Sequence, residues 1–126
     1  MSGLFKFWLR RIVNKYRQRR GLWLTISITM RCPNGCRYCP CGHPHPKIAE
    51  ATLDQWKEFI DGFPERVSYV CISGGEPSSV EWFPHLVNWL IDSGRTVTVY
   101  SMLQMPARFM LIRNSWRLRI DATLHH

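Results

Sequence analysis

The apolar positions of this chain follow two alternating periods. Leu24, Ile26 and Ile28 alternate with Thr25, Ser27 and Thr29. A period of two puts the first set on one face of a strand, so residues 22–29 are predicted as β, with the hydroxyls facing a polar lumen or solvent. Leu53, Trp56, Phe59 and Ile60 then take up helical spacing. Thr52-Leu53-Asp54-Gln55 is a capping box that opens this helix, and Gly62 and Pro64 stop it. Residues 67–73 form a second apolar strand. Ser78-Ser79-Val80-Glu81 has the form of another capping box, and Pro84 suits a first turn, so the continuous helix begins there. Phe83, Leu86, Val87 and Leu90 line one face of it, and Gly94 ends it. A strand over 96–102, a short helix over 106–113 and a strand over 116–124 complete the series. The order β-α-β-α-β-α-β predicts an α/β fold with a parallel sheet and right-handed crossovers.

Residues 1–21 differ from the rest. Phe5, Trp8, Leu9, Ile12, Val13 and Tyr16 form a helical stripe, and Gly21 is a natural stop. Lys6, Arg10, Arg11, Lys15, Arg17, Arg19 and Arg20 occupy the other faces, with no acidic residue among them. The chain has a net charge of +8, so the basic balance belongs to this segment. The expected organisation is a basic amphipathic helix over 1–21 and one domain over 22–126. Such a helix suits packing on the domain, an anionic membrane surface, or a patch that meets RNA or an acidic partner. No apolar run approaches the ~20 residues of a membrane span, and the first residues lack the pattern of a secretion signal.

Loops at the carboxyl ends of parallel strands carry chemistry in such folds. The loop after the first strand holds Cys32, Cys36 and Cys39, then Cys41, His43 and His45. Four of the five cysteines lie within ten residues, too crowded for a disulfide framework. This clustering points to a metal or cluster site in a reducing, cytoplasmic setting. Three thiolates in one short loop suit an iron–sulfur cubane with one iron left free. Four thiolates, or three with an imidazole, would instead close a structural zinc site. The loop after the second strand holds Ser73, Gly74, Gly75, Glu76 and Pro77, on the same rim.

Cys32-x3-Cys36-x-Tyr38-Cys39 followed by Gly74-Gly75-Glu76-Pro77 resembles the two leading motifs of the radical S-adenosylmethionine (radical SAM) superfamily. The resemblance implies part of an open (β/α) barrel, of which this chain offers about four strands. It implies that Cys32, Cys36 and Cys39 ligate a [4Fe–4S] cluster and that the loop at Tyr38 borders the adenine. Ser73, Gly74, Gly75, Glu76 and Pro77 would meet the methionine moiety of S-adenosylmethionine, and a side chain at Gly75 would block its approach. Ser101 falls in a segment where family members carry Ser-Asn-Leu, with Met102 at the Asn position. Ala122-Thr123-Leu124-His125 is similar to a family strand end. The implied reaction is reductive cleavage to a 5′-deoxyadenosyl radical that abstracts hydrogen from a substrate. It needs an external flavodoxin- or ferredoxin-like donor.

A parallel strand ending uncovered is a liability, so the expected chain is a fragment of a longer barrel, with a naturally short protein completed by a partner as the second reading. The substrate is not named by these motifs. The alternative reading is a zinc or iron–sulfur binding module whose basic helix is a nucleic-acid or membrane adaptor. Cys71 is expected as a small buried apolar residue, His85 as half-buried, and His43 and His45 as loop residues.

Overall fold

The computed structural model describes residues 21–33, 39 and 49–123. The basic segment 1–20 therefore lies outside the described residues. Four strands form one parallel sheet: β1 Leu22–Ser27, β2 Val67–Ser73, β3 Thr96–Ser101 and β4 Leu118–Ala122. They lie in chain order, so each crossover moves one strand along. Three helices alternate with them: α1 Leu53–Asp61, α2 Phe83–Asp92 and the single turn α3 Pro106–Phe109. Among the described residues the sheet does not close, and β1 and β4 are its edges.

The apolar alternation decides which face is covered. Ile26 and Ile28 join Val70, Ile72, Val97 and Val99 in one buried cluster with Ile60, Phe83, Leu86, Val87 and Leu90 of the helices. Burying each large side chain contributes roughly 1.5–3 kcal/mol. The opposite face is polar and open. Trp23 stacks on Tyr69 with ring centroids 4.7 Å apart, and the Tyr69 hydroxyl bonds the Thr98 hydroxyl. Thr25 and Ser27 stand exposed on this face, as the alternation predicts.

The capping box of α1 forms. Gln55 N donates to Thr52 Oγ1 at 3.2 Å, and Thr52 N donates to Gln55 Oε1 at 2.9 Å. The second expected box does not form. Pro77–Ser79 makes a 3₁₀ turn, and α2 starts at Phe83 with no side-chain cap. Ser78 is committed elsewhere, as the site shows. The expected helix over 106–113 shortens because Asn88 of α2 takes the end of it. Asn88 Nδ2 donates to the Leu111 carbonyl at 3.0 Å, and Arg113 N donates to Asn88 Oδ1 at 2.8 Å. β4 is shorter than expected at its start. Trp116 is exposed outside the sheet, with the Arg117 guanidinium 4.3 Å above its ring.

At the rim opposite the two motif loops, buried Arg95 joins three elements. It donates to the Val67 carbonyl at 2.8 Å, Ser93 Oγ at 2.7 Å and Asp61 Oδ1 at 2.7 Å. The corner is thus fixed independently of the two motif loops.

Candidate functional site

The pairing of β1 with β2 continues past the strands into both motif loops. Ser27 and Ser73 are register partners at the strand ends. Beyond them, Gly75 N donates to the Thr29 carbonyl and Glu76 N to the Arg31 carbonyl, both at 2.7 Å. Arg31 immediately precedes Cys32. The start of the cysteine loop is therefore held by backbone bonds to the glycine loop, and the two motifs converge on one rim.

The glycines are what permit that approach. Gly74 has φ +119°, and a Cβ there would stand 2.5 Å from the Thr29 carbonyl oxygen. A Cβ on Gly75 would stand 2.2 Å from the Arg31 carbonyl oxygen. The expectation that Gly75 serves cofactor approach is therefore incomplete, because its Cβ side is filled by this chain's own backbone.

Glu76 turns inward and is 1% exposed. Its Oε1 accepts from Ser78 N at 3.2 Å, from Ser78 Oγ at 2.7 Å and from the Ser101 hydroxyl. Its Oε2 accepts from Met102 N at 2.8 Å. One carboxyl thus ties the loop after β2 to the end of β3. Ser101 Oγ in turn accepts from Leu103 N at 2.9 Å. Leu103 adopts φ +58°, a left-handed conformation unusual for a bulky residue, next to this tie. Ser78 extends the network: its hydroxyl accepts from Met105 N at 3.2 Å, and its carbonyl accepts from Arg108.

A clasp that the sequence pattern did not reveal closes the neck of the cysteine loop. Glu50 accepts two bonds from Arg31, Nε to Oε1 and Nη2 to Oε2, each at 2.9 Å. The Thr29 hydroxyl also donates to Glu50. Burial raises the Glu50 pKa, but the bonds from Arg31 and Thr29 and the Arg31 charge outweigh it, so the net shift is downward. Opposite charges at the two ends of a Pro-rich loop were the available signal.

Cys32 and Cys39 are free, partly exposed thiols. Cys36, Tyr38, Cys41, His43 and His45 lie outside the described residues. Among the described residues no three metal-binding side chains come together. Cys32 opens onto a cleft of about 640 Å³ lined also by Arg31, Ser79, Gln104, Met105 and Arg108. One soft sulfur donor, Cys32, in a roomy cleft lined also by Arg31 and Arg108 is compatible with an anionic cluster with space for a ligand beside it. Pro77 begins the 3₁₀ turn and is buried, and Ser73 is partly buried at the end of β2.

Cys71 departs from expectation. It lies on the polar face of β2, partly exposed, rather than in the apolar cluster. Partial burial raises its pKa most, and the Asp121 charge adds to this, against hydrogen bonds with Thr25 and Tyr100.

No helix among the described residues is long and apolar enough to cross a membrane. A family model described as the radical SAM superfamily matches residues 26–120, which is most of the chain and includes both motif loops. The comparisons with curated proteins and with solved structures each gave no match.

Proposed function

Because the chain belongs to the radical SAM superfamily, we propose that Cys32, Cys36 and Cys39 hold a [4Fe–4S] cluster and that the loop from Ser73 to Pro77 receives S-adenosylmethionine. The observation that carries this reading is the pair of backbone bonds from Gly75 and Glu76 to Thr29 and Arg31. They hold the residue before Cys32 against the glycine loop, so a ligand of one loop sits beside the other. Tyr38 borders the adenine in this reading. When bound, the cluster and its ligand supply reductive cleavage of a sulfonium and hydrogen abstraction from a substrate, driven by an external flavodoxin- or ferredoxin-like donor.

The chain's own residues bind and orient. Backbone carbonyls of the Ser73–Gly75 stretch accept from the ammonium of the methionine moiety, since glycine interposes no side chain. Glu76 is a positioning residue in this reading. Its carboxyl is already engaged by Ser78, Ser101 and Met102, so it shapes the loop rather than touching the ligand. Ser101 acts through Glu76 in the same way. Arg31 and Glu50 hold the neck of the cysteine loop at a fixed width. The setting is a reducing one, such as the cytoplasm.

The test is anaerobic reconstitution followed by metal analysis and calorimetry. About four irons per chain with matching sulfide are expected. S-adenosylmethionine should bind, and reduction should release methionine and 5′-deoxyadenosine. One zinc and no iron would overturn the reading in favour of a structural metal knuckle.

A further inference from the structure

The outer edge of β1 and the adjoining face of α1 enclose a groove of about 390 Å³, lined by Leu24, Ile26, Ala51, Gln55, Trp56 and Phe59. Among the described residues β1 is an edge strand, and its outward backbone groups have no neighbouring strand in the sheet. Phe59 is 51% exposed at the groove, and among the described residues the buried Trp56 indole N–H finds no acceptor. A buried donor without a partner favours an occupant that brings one.

The segment that carries α1 is mostly acidic, although Glu50 is already paired with Arg31 and Asp61 with Arg95. Glu50, Asp54, Glu58, Asp61 and Glu65 are five of the nine acidic residues of the chain, and Lys57 is the only basic residue between positions 50 and 65. The twenty residues that precede Gly21 have the opposite character, with seven cations, no acid and an apolar stripe. They join the domain at the foot of β1. Gly21 has φ +64°, the conformation that commonly follows a helix, and a Cβ there would meet the Arg66 carbonyl at 2.7 Å. As a helix, the stripe from Phe5 to Tyr16 would span roughly 17 Å, against roughly 20 Å for the six residues of β1.

We propose that residues 1–20 dock as an amphipathic helix into the groove between the β1 edge and α1, with their cations over the acidic row of α1. The docked segment covers the open edge and forms a wall beside Ala51, where the cysteine loop returns to α1. This inference does not depend on which cofactor the loop holds.

Photo-crosslinking tests it in the full-length chain. Phe59→p-benzoylphenylalanine is irradiated in an equal mixture of unlabelled and ¹⁵N-labelled protein, with anionic phosphatidylserine vesicles present, and the linked peptides are mapped. Links from position 59 to residues 1–20 of the same isotopic chain are expected. Mixed-isotope links would overturn the proposal in favour of a second copy. Links to lipid alone, or none to residues 1–20, would overturn it as well. Hydrogen exchange gives an independent reading. In Ile12→Glu/Tyr16→Glu, amides of residues 22–27 and 53–61 should exchange about tenfold faster than in the parent. Unchanged exchange would overturn the docking.

Discussion

The backbone of Arg31 fills the space where a side chain on Gly75 would lie, with the Arg31 carbonyl oxygen 2.2 Å from the ideal Cβ position. The same carbonyl accepts from Glu76 N. A substitution at Gly75 therefore acts first on the neck of the cysteine loop, through backbone that cannot rotate away.

This sets the first prediction. Gly75→Ala should destabilise the fold by about 1–3 kcal/mol, the range for overpacking. It should also reduce iron loading on reconstitution, because Arg31 and hence Cys32 must shift. Denaturant unfolding and iron content of the same preparation check both. Full iron loading and parental stability with only S-adenosylmethionine binding lost would assign Gly75 to the ligand alone.

Glu76 gives the second. Glu76→Ala leaves the Met102 amide and the Ser78 and Ser101 hydroxyls without their acceptor in a buried place. Each unsatisfied buried group costs about 1–3 kcal/mol, less where a water enters. The loss should therefore exceed that of an average surface substitution by several kcal/mol. Glu76→Gln should also cost stability, since an amide nitrogen would face either Met102 N or the donors at Oε1. Parental unfolding midpoints in both variants would remove Glu76 from its positioning role.

The strands and helices were legible because their signal is periodic. Residues 67–73 match β2, and the stripe of Phe83, Leu86, Val87 and Leu90 matches the buried face of α2. The strand predicted over 22–29 ends its regular ladder at Ser27, although Ile28 and Thr29 stay buried. Gly74 leaves the β region there, and a side-chain pattern cannot register a partner's backbone angle. The Ser78 capping box failed for a related reason. Its hydroxyl and amide were taken by Glu76, two residues upstream, whose carboxyl is itself held across the fold by Ser101 and Met102, so one local motif lost to another with tertiary support. The Glu50 clasp joins positions 19 apart and has no period at all. Cys71 was misplaced because one cysteine in an apolar run does not announce its face. The motif cysteines are proposed from spacing, which needs no fold.

Leu103 supports a third prediction. Its φ of +58° follows Met102, whose amide is held by Glu76, and precedes the turn into α3. A bulky residue in that region stores about 1–3 kcal/mol. Leu103→Gly relieves this strain but loosens the unfolded chain and removes a partly exposed side chain. The expected result is a change in stability within about 1 kcal/mol of the parent. Leu103→Val should lose more, since branching at Cβ aggravates the left-handed conformation. A valine variant as stable as the glycine one would show that the angle is unstrained.

The Glu50 clasp has a defined pH dependence. The Glu50 pKa is lowered in the folded chain, so ionised Glu50 favours the folded state. Its contribution is complete above the unfolded glutamate value of about 4.3. It is lost as pH falls through the lower folded value. The Arg31 side chain is 60% exposed, so the pair is worth at most about 1 kcal/mol. The stability gap between the parent and Glu50→Gln should be constant from neutral pH to about pH 5, then close below the ordinary carboxylate range. A gap that widened on acidification would reverse the assigned shift.

The five cysteines should separate by chemistry. Cys32→Ala, Cys36→Ala and Cys39→Ala should each abolish the reconstituted cluster spectrum, because each would remove a thiolate from the proposed three-ligand set. Cys41→Ala should leave it. Cys71→Ser should also leave it, since Cys71 stands on the polar face of β2 among Thr25, Tyr100 and Asp121. Its thiol is held above its ordinary value by burial and by the Asp121 charge, so little thiolate forms near neutral pH. In apo protein, Cys71 should therefore alkylate more slowly with iodoacetamide than free cysteine at the same pH. Asp121→Asn should quicken it by removing the negative charge. Mass mapping of the alkylated peptides resolves each site. Loss of the cluster in the Cys71 variant with retention in any of the three motif variants would overturn the ligand set. A Cys71 thiol that reacted as fast as free cysteine would show that the polar face does not restrain it.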